Sequence, residues 1–291
     1  INTPYHKRSQ SDGEVIRRTA SKKGMLCLTR KENIVSALNM LISCEEDDLS
    51  PVALQDLYPR LPKVSISSSN KIMVALDQMS RSEILQFLSK YQDVLQVVKI
   101  GLEVFLRDGP ALVQEIHRQF NVKIFLDLKL HDIPTTVKMA IKSLASLPID
   151  FLTIHLSGGE MMCRESMEMA RKVLPDTKIL GVSYLTSLGE DEISRIFHQG
   201  GYEYLIKLAL KTKMDGIVCS PFELSYIDEI DPRHELLRIC PGIRLASEIK
   251  QGLSQDQKRV STPQETLARG ADYLVMGRSI TKSDDPRKIL Q

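Results

Sequence analysis

VKIFLDLKLHDIPTTVKMAIKSLASLPIDFLTIHL, residues 122–156, reads as an apolar run, an amphipathic stretch and a second apolar run. VKIFLDLKL (122–130) and DFLTIHL (150–156) have the length and composition of buried strands, and Thr136–Leu147 between them spaces its apolar residues as a helix does. Strand, helix, strand implies two parallel strands joined by a right-handed crossover. The alternation continues on both sides. Upstream stand KIMVALD (71–77) and LQVVKIG (95–101); downstream stand KILGVSYL (178–185), GIVCS (216–220), LLRICPG (236–242) and DYLVMGR (272–278). Amphipathic stretches such as Ser82–Tyr91, Glu160–Leu174 and Pro263–Arg269 separate them. Eight such units in some 220 residues fit a closed (β/α)8 TIM barrel better than an open doubly wound sheet, which usually has fewer strands. Periodicity alone does not show closure.

The first 70 residues read differently. They carry scattered basic residues, the acidic cluster Glu45–Asp48, then Pro51, Pro59 and Pro62 and a serine-rich stretch ending at Asn70. We read residues 1–70 as an N-terminal extension with a linker, and 71–291 as the barrel. Ile34, Val35, Leu38, Leu41 and Ile42 predict one amphipathic helix over 31–43, whose apolar face needs a partner. A first residue that is isoleucine suggests a processed or truncated start.

Composition bounds the function. Of 291 residues 42% are hydrophobic and 26% charged, with a net charge of +2, which is ordinary for a globular protein. Residues 1–70 hold 10 Lys+Arg against 8 Asp+Glu, leaving 29 of each for the barrel, a balance that argues against bulk nucleic-acid binding. No apolar run is long enough for a membrane helix, and the opening 24 residues are too polar for a secretion signal. The five cysteines are odd in number and form no C-x-x-C pair, which suggests reduced thiols, a cytoplasmic protein and no structural zinc. No glycine-rich dinucleotide or Walker pattern is present, and the histidines lack metal-ligand spacing.

In such a barrel the chemistry sits at the carboxyl ends of the strands. Those ends carry Asp77, Lys99, Asp127 with Lys129, His155, Thr186 with Ser187, Ser220, Arg244 and Arg278. Strand alternation puts Asp127 and Lys129 on one face, with Leu126, Leu128 and Leu130 on the other. Asp132 follows just past the strand and can approach the same lysine directly or from a neighbouring subunit. Two carboxylates around one lysine stabilise its ammonium form, making it a proton donor rather than a Schiff-base nucleophile. An ion-pair network on a barrel rim is the alternative. On the opposite side, Pro241-Gly242-Ile243-Arg244, a polar loop with Gln257, and Gly277-Arg278 supply glycine backbone and arginine forks suited to a phosphate. Residues 242–259 are long and polar enough for a lid, and Arg278 as a solvated cap is the alternative there.

The run FLDLKLHDIPTTV (125–137) resembles the signature of the orotidine 5'-monophosphate decarboxylase family, its bacterial-type branch in particular. Further blocks fall in family order over 71–291: ALD (75–77), KIG (99–101), LTS (185–187), PGIR (241–244), DQKRV (256–260) and VMGRSIT (275–281). The resemblance implies a homodimeric barrel that removes CO2 from orotidine monophosphate to give UMP, the last step of de novo pyrimidine synthesis, without metal or organic cofactor. It assigns Asp127, Lys129, Asp132 and Lys99 to a charged array, with Asp132 serving the partner's site and Lys129 protonating C6. Asp77 and Lys99 are then expected on ribose hydroxyls, Thr186 and Ser187 on the pyrimidine, and Arg244, Gln257, Gly277 and Arg278 on the phosphate. Thr135, Leu130 and Ser183 depart from the usual pattern without removing a charge. Two rivals stand beside it. Metal-dependent sugar-phosphate barrels, such as 3-keto-gulonate 6-phosphate decarboxylase or hexulose-phosphate synthase, share D-x-K-x-x-D, but the H-D-I-P-x-T continuation and the LTS block favour the nucleotide enzyme. A non-catalytic nucleotide-binding module is disfavoured by the intact Asp127, Lys129 and Asp132.

Overall fold

All eight apolar runs form strands in the computed structural model, which describes residues 71–196, 201–250 and 260–290. They are β1 (Ile72–Ala75), β2 (Val97–Gly101), β3 (Lys123–Leu130), β4 (Phe151–His155), β5 (Lys178–Val182), β6 (Gly216–Val218), β7 (Leu237–Cys240) and β8 (Tyr273–Met276). Each pairs in parallel with the next. Met73 beside both Val97 and Val275 closes β1 onto β2 and β8, so the sheet is a closed eight-stranded barrel rather than an open one. The expected extension helix over 31–43, Gln257 and most of the proposed lid lie outside the described residues. No helix among the described residues is long and apolar enough to cross a membrane.

The helices, in chain order, are α1 (Arg81–Tyr91), α2 (Leu102–Gln119), α3 (Pro134–Ser143), α4 (Gly159–Val173), α5 (Glu190–Ile196), α6 (Gly201–Lys211), α7 (Leu224–Ile230), α8 (Ala246–Lys250), α9 (Pro263–Ala268), α10 (Arg278–Thr281) and α11 (Pro286–Leu290). Local chemistry sets several boundaries. Ser80 caps α1 through a reciprocal box with Glu83, and Thr262 does the same for α9 with Glu265. Pro134 and Pro263 open α3 and α9 at the position where a missing N–H costs nothing. α2 is broken at Gly109, whose φ of +62° precedes Pro110.

Two separate apolar clusters result. One lies between the sheet and the helices and includes Val74, Val98, Leu126 and Leu152; the other fills the barrel interior with Met73, Val97, Phe125, Phe151, Leu180, Val182, Val218 and Ile239. Phe151 makes edge contacts with Phe125 and Tyr273 at 6.0 and 5.9 Å. Because strand side chains alternate, the inward position two residues beyond this plug is Ala75 on β1, Lys99 on β2, Asp127 on β3 and Thr153 on β4. The apolar layer is thus the floor of whatever these residues surround.

The amino-terminal rim has its own repeating device. Asp150, Asp215 and Asp272 stand immediately before β4, β6 and β8. Their carboxylates accept the backbone N–H of Ile124, Ile179 and Arg238 in the preceding strand, each at 2.8 Å. Burial raises the carboxyl pKa of Asp150, opposed by the Ile124 hydrogen bond and the nearby Lys123 and His117.

Candidate active site

At the carboxyl end a cavity of about 310 Å3 opens above the apolar plug. Its wall carries Asp77, Lys99, Asp127, Lys129, Thr186, Arg244, Gly277 and Arg278, eight of the eleven residues expected from sequence. Strand order explains the grouping, since β8 closes next to β1 and brings chain segments two hundred residues apart to one mouth.

Charges dominate one side. Lys99 Nζ lies 2.8 Å from Asp77 Oδ2 and 3.5 Å from Asp127 Oδ2, while Lys129 Nζ lies 2.7 Å from the same Asp127 oxygen. Acid and base therefore alternate along Asp77, Lys99, Asp127 and Lys129. Lys99 and Asp127 are buried, at 6% and 9% exposure. Burial alone would raise the Asp127 pKa. The Lys99 and Lys129 ammoniums, with hydrogen bonds from Lys129 and Thr153, outweigh it and hold the carboxyl below its usual range. Asp127 thus stays ionised at neutral pH, and Lys129 has an anion beside it.

The route by which Asp127 and Lys129 meet differs from the expected alternation. Lys129 has a φ of +48°, in the left-handed region. The β3–β4 ladder slips there, passing from Leu126 opposite Leu152 to Leu130 opposite Ile154. The Lys129 N–H donates to Thr153 Oγ1 at 2.9 Å instead of to the β4 backbone. The bulge turns the lysine over the cavity beside Asp127, where a flat strand would simply have carried it onward.

Asp132 is exposed and its Oδ1 accepts the N–H of Ile133 at 2.7 Å. It makes no ion pair among the described residues, so within one chain Lys129 has Asp127 as its carboxylate and the direct approach of Asp132 does not occur. Ser187 is exposed and lies off the cavity wall, one residue beyond the lining Thr186. Ser220 is buried and caps the turn after β6, accepting the N–H of Phe222 at 3.4 Å. His155 is half-buried and also off the cavity wall. Desolvation first, then the charges of His131 and Lys129 against that of Asp127, push its pKa down to about 4, so the ring is neutral at pH 7. The His131 ring centroid lies 5.2 Å away.

The opposite wall is held by backbone and side-chain ties. Gly242 takes a φ of +83°, the turn that lets β7 release the chain over the mouth. Ile243 bridges to Ser261, and Arg244 N donates to Ser261 O at 3.1 Å, pinning both ends of the long loop together. Glu248 accepts from Leu245 N at 2.8 Å and from Ser279 Oγ at 2.6 Å, which ties α8 to α10. Arg244, buried at 8% exposure, and Arg278 thereby face one cavity from two fixed positions. Two guanidinium groups and the Gly277 backbone can take a dianion there.

Sequence reading missed three contributors. Thr153 was hidden as one polar letter inside an apolar run. Gln78, with φ +61° and its N–H on Glu103 Oε2 at 3.0 Å, lines the cavity without any motif to mark it. Tyr184 lines it too, backed by tilted ring contacts through Tyr202 to Tyr226. Gly101 ends the KIG run, and the reason for a glycine there is visible only in three dimensions. A Cβ there would lie 2.1 Å from Asp77 Oδ1 and 3.1 Å from Lys99 Nζ. Among the described residues no group of three or more His, Cys, Asp or Glu side chains is arranged to hold a metal ion.

Comparison with known proteins gives the family and the fold. Residues 70–291 match the model of the orotidine 5'-phosphate decarboxylase / HUMPS family. An orotidine 5'-phosphate decarboxylase of Fusobacterium nucleatum is 38% identical over 224 residues, covering 75% of this chain and 92% of the relative. One from Staphylococcus aureus strain Newman is 40% identical over 221 residues, covering 74% and 92%. Among solved structures, orotidine 5'-phosphate decarboxylase from Lactobacillus acidophilus superposes with a TM-score of 0.62 at 31% identity, over 76% of this chain and 96% of that one. An uncharacterized conserved protein from Geobacillus kaustophilus gives 0.62 at 30% identity over 75% and 95%.

Proposed function

The chain belongs to the orotidine 5'-phosphate decarboxylase / HUMPS family, and from that premise we propose that it converts orotidine 5'-monophosphate to UMP and CO2 with Lys129 as the proton donor. The enzyme is a carboxy-lyase of pyrimidine synthesis, in line with relatives named for that reaction at 38–40% identity. The observation that carries the residue assignment is the alternating row Asp77, Lys99, Asp127, Lys129 on a cavity wall that also holds Arg244 and Arg278.

Cleavage of the bond from C6 to the carboxylate leaves the electron pair on C6 and releases CO2. A carbanion at that carbon has little delocalisation, so an ammonium already in place lowers the barrier and then delivers its proton to C6. Lys129 takes that role and recovers a proton from solvent. Asp127, kept ionised, holds Lys129 in position and stands near the departing carboxylate. Asp77 and Lys99 hold ribose hydroxyls, Thr186 meets the pyrimidine with Ser187 just off the wall beside it, and Arg244, Gln257, Gly277 and Arg278 take the phosphate. Grip on the phosphate helps to assemble the charged row around the remote carbon, so binding energy is spent on the chemical step.

Asp132 completes the array from a second copy of the chain. Its exposed position fits that role, as do the exposed apolar Leu102, Leu106 and Ile133 at the same rim, Leu106 at 75% exposure. Buried free thiols at Cys163, Cys219 and Cys240 suit a cytoplasmic enzyme. The test is the loss of orotidine monophosphate absorbance with EDTA present, beside a Lys129→Ala control. Conversion to UMP that persists in EDTA and vanishes in the control supports the reading. No conversion by folded wild type moves the weight to the sugar-phosphate enzymes or to a non-catalytic nucleotide-binding module, with metal addition the next test.

A further inference from the structure

We propose that Thr153 is a positioning residue for the decarboxylation, a single hydroxyl that fixes both the carboxylate of Asp127 and the main chain of Lys129. The inference rests on the function proposed above and adds a group that touches neither substrate nor the reacting carbon. Thr153 lies on β4 with 0% exposure. Its Oγ1 donates to Asp127 Oδ1 at 2.9 Å and accepts the Lys129 N–H at 2.9 Å. A hydroxyl has one proton and two lone pairs, so both bonds form at once and each fixes the direction of the other.

The ladder makes the arrangement specific. From Leu126 to Leu130 the third strand advances four residues while β4 advances two, Leu152 to Ile154, and Thr153 sits opposite the surplus. A strand with a surplus must leave a backbone donor unpaired unless a side chain accepts it. Here that donor belongs to Lys129, the residue held at φ +48°. A non-glycine residue stays in that conformation only where its surroundings over-determine it. The Thr153 hydroxyl supplies that constraint, and its proton goes to Asp127 Oδ1, leaving Oδ2 for the Lys99 and Lys129 ammoniums. Valine fills the same volume and does neither.

The experiment compares Thr153→Val, Thr153→Ser and Thr153→Cys with wild type in steady-state decarboxylation and UMP binding. Losing a hydrogen bond to a charged group predicts a kcat for T153V lower by roughly 10- to 100-fold, with the Kd for UMP within about threefold. T153S, which keeps the hydroxyl, should retain most of the rate. T153C has a weaker donor and acceptor of similar size; it should fall between, and it replaces T153V should that chain not fold. The acid limb of the kcat profile should move to higher pH in T153V, because a lost donor to the ionised Asp127 raises its pKa. A T153V or T153C enzyme with kcat within twofold of wild type overturns the proposal. So does an equal loss in T153S and T153V, or a loss that falls on UMP binding as heavily as on kcat. An inactive wild type would instead overturn the proposed function, so the two failures are distinguishable.

Discussion

The two rims of the barrel use the same side chain to opposite ends. At the amino-terminal rim Asp150, Asp215 and Asp272 each accept a backbone N–H of the neighbouring strand. At the carboxyl-terminal rim Asp77 and Asp127 pair with ammonium groups along one wall of a cavity. Asp150 and Asp127 are both removed from water, yet their pKa values move in opposite directions. Neutral amides do not repay the desolvation of Asp150, whereas two ammoniums more than repay that of Asp127. A carboxylate matched to backbone sets strand register, and one matched to charge beside an open cavity is available for chemistry.

That contrast breaks or sharpens at definite residues. The largest effect belongs to Lys129→Ala, which should lower kcat by roughly a thousandfold or more while UMP still binds; equal loss of binding and turnover would refute the division of roles within the carboxyl-terminal rim. Arg278→Ala should weaken UMP binding by about a hundredfold, as for loss of a charge-assisted fork, and leave uridine binding alone. Titration calorimetry with both ligands reads this, and unchanged UMP affinity removes Arg278 from the phosphate site. At the other rim Asp150→Ala should cost about 2 kcal/mol of stability by leaving the Ile124 N–H unpaired, with kcat within twofold of wild type. A rate collapse in a folded D150A protein would end the distinction between the rims.

The smallest effect is the acid response of His155. In the unfolded chain the ring gains its proton near pH 6.5; in the fold it does so only at about 4. A depressed folded value means that the contribution is complete above about pH 6.5 and is lost as the pH falls toward 4. His155→Gln removes the unfolded-state proton, so its Tm should decline less steeply than wild type over that window. Parallel Tm curves would show that the ring is not held neutral.

Much of this was legible in sequence because the rims leave different marks. An aspartate that closes an apolar run, as in MVALD and KIFLD, faces the site; one that opens a run, as in IDFLTIH, MDGIVC and ADYLVM, pairs with the neighbouring strand. The eight strands followed from the alternation, whereas closure, which periodicity alone does not show, is visible in β1 pairing with both β2 and β8. The kink at Lys129 did not, because period two has no symbol for a left-handed residue, and the hydroxyl that holds it lies 24 residues away on another strand. Gln78 and Tyr184 carry no signal beyond their place after a strand, and only closure reveals which side chains line the mouth. The cross-chain role proposed for Asp132 would need a second copy, which one chain cannot encode as spacing.

Gly101 bears on how the protein tolerates genetic change. Its backbone, at φ −83° and ψ 177°, is one that any residue adopts, so the requirement is one of space alone. Alanine, the mildest replacement by any measure of chemical distance, puts a methyl group where the Asp77 carboxylate lies. Making room moves the Asp77 carboxylate, whose other oxygen holds Lys99 at 2.8 Å. An allele with that change is expected to yield a folded, abundant and crippled enzyme, so surveys that score variants by protein level would pass it while growth without supplied uracil would not.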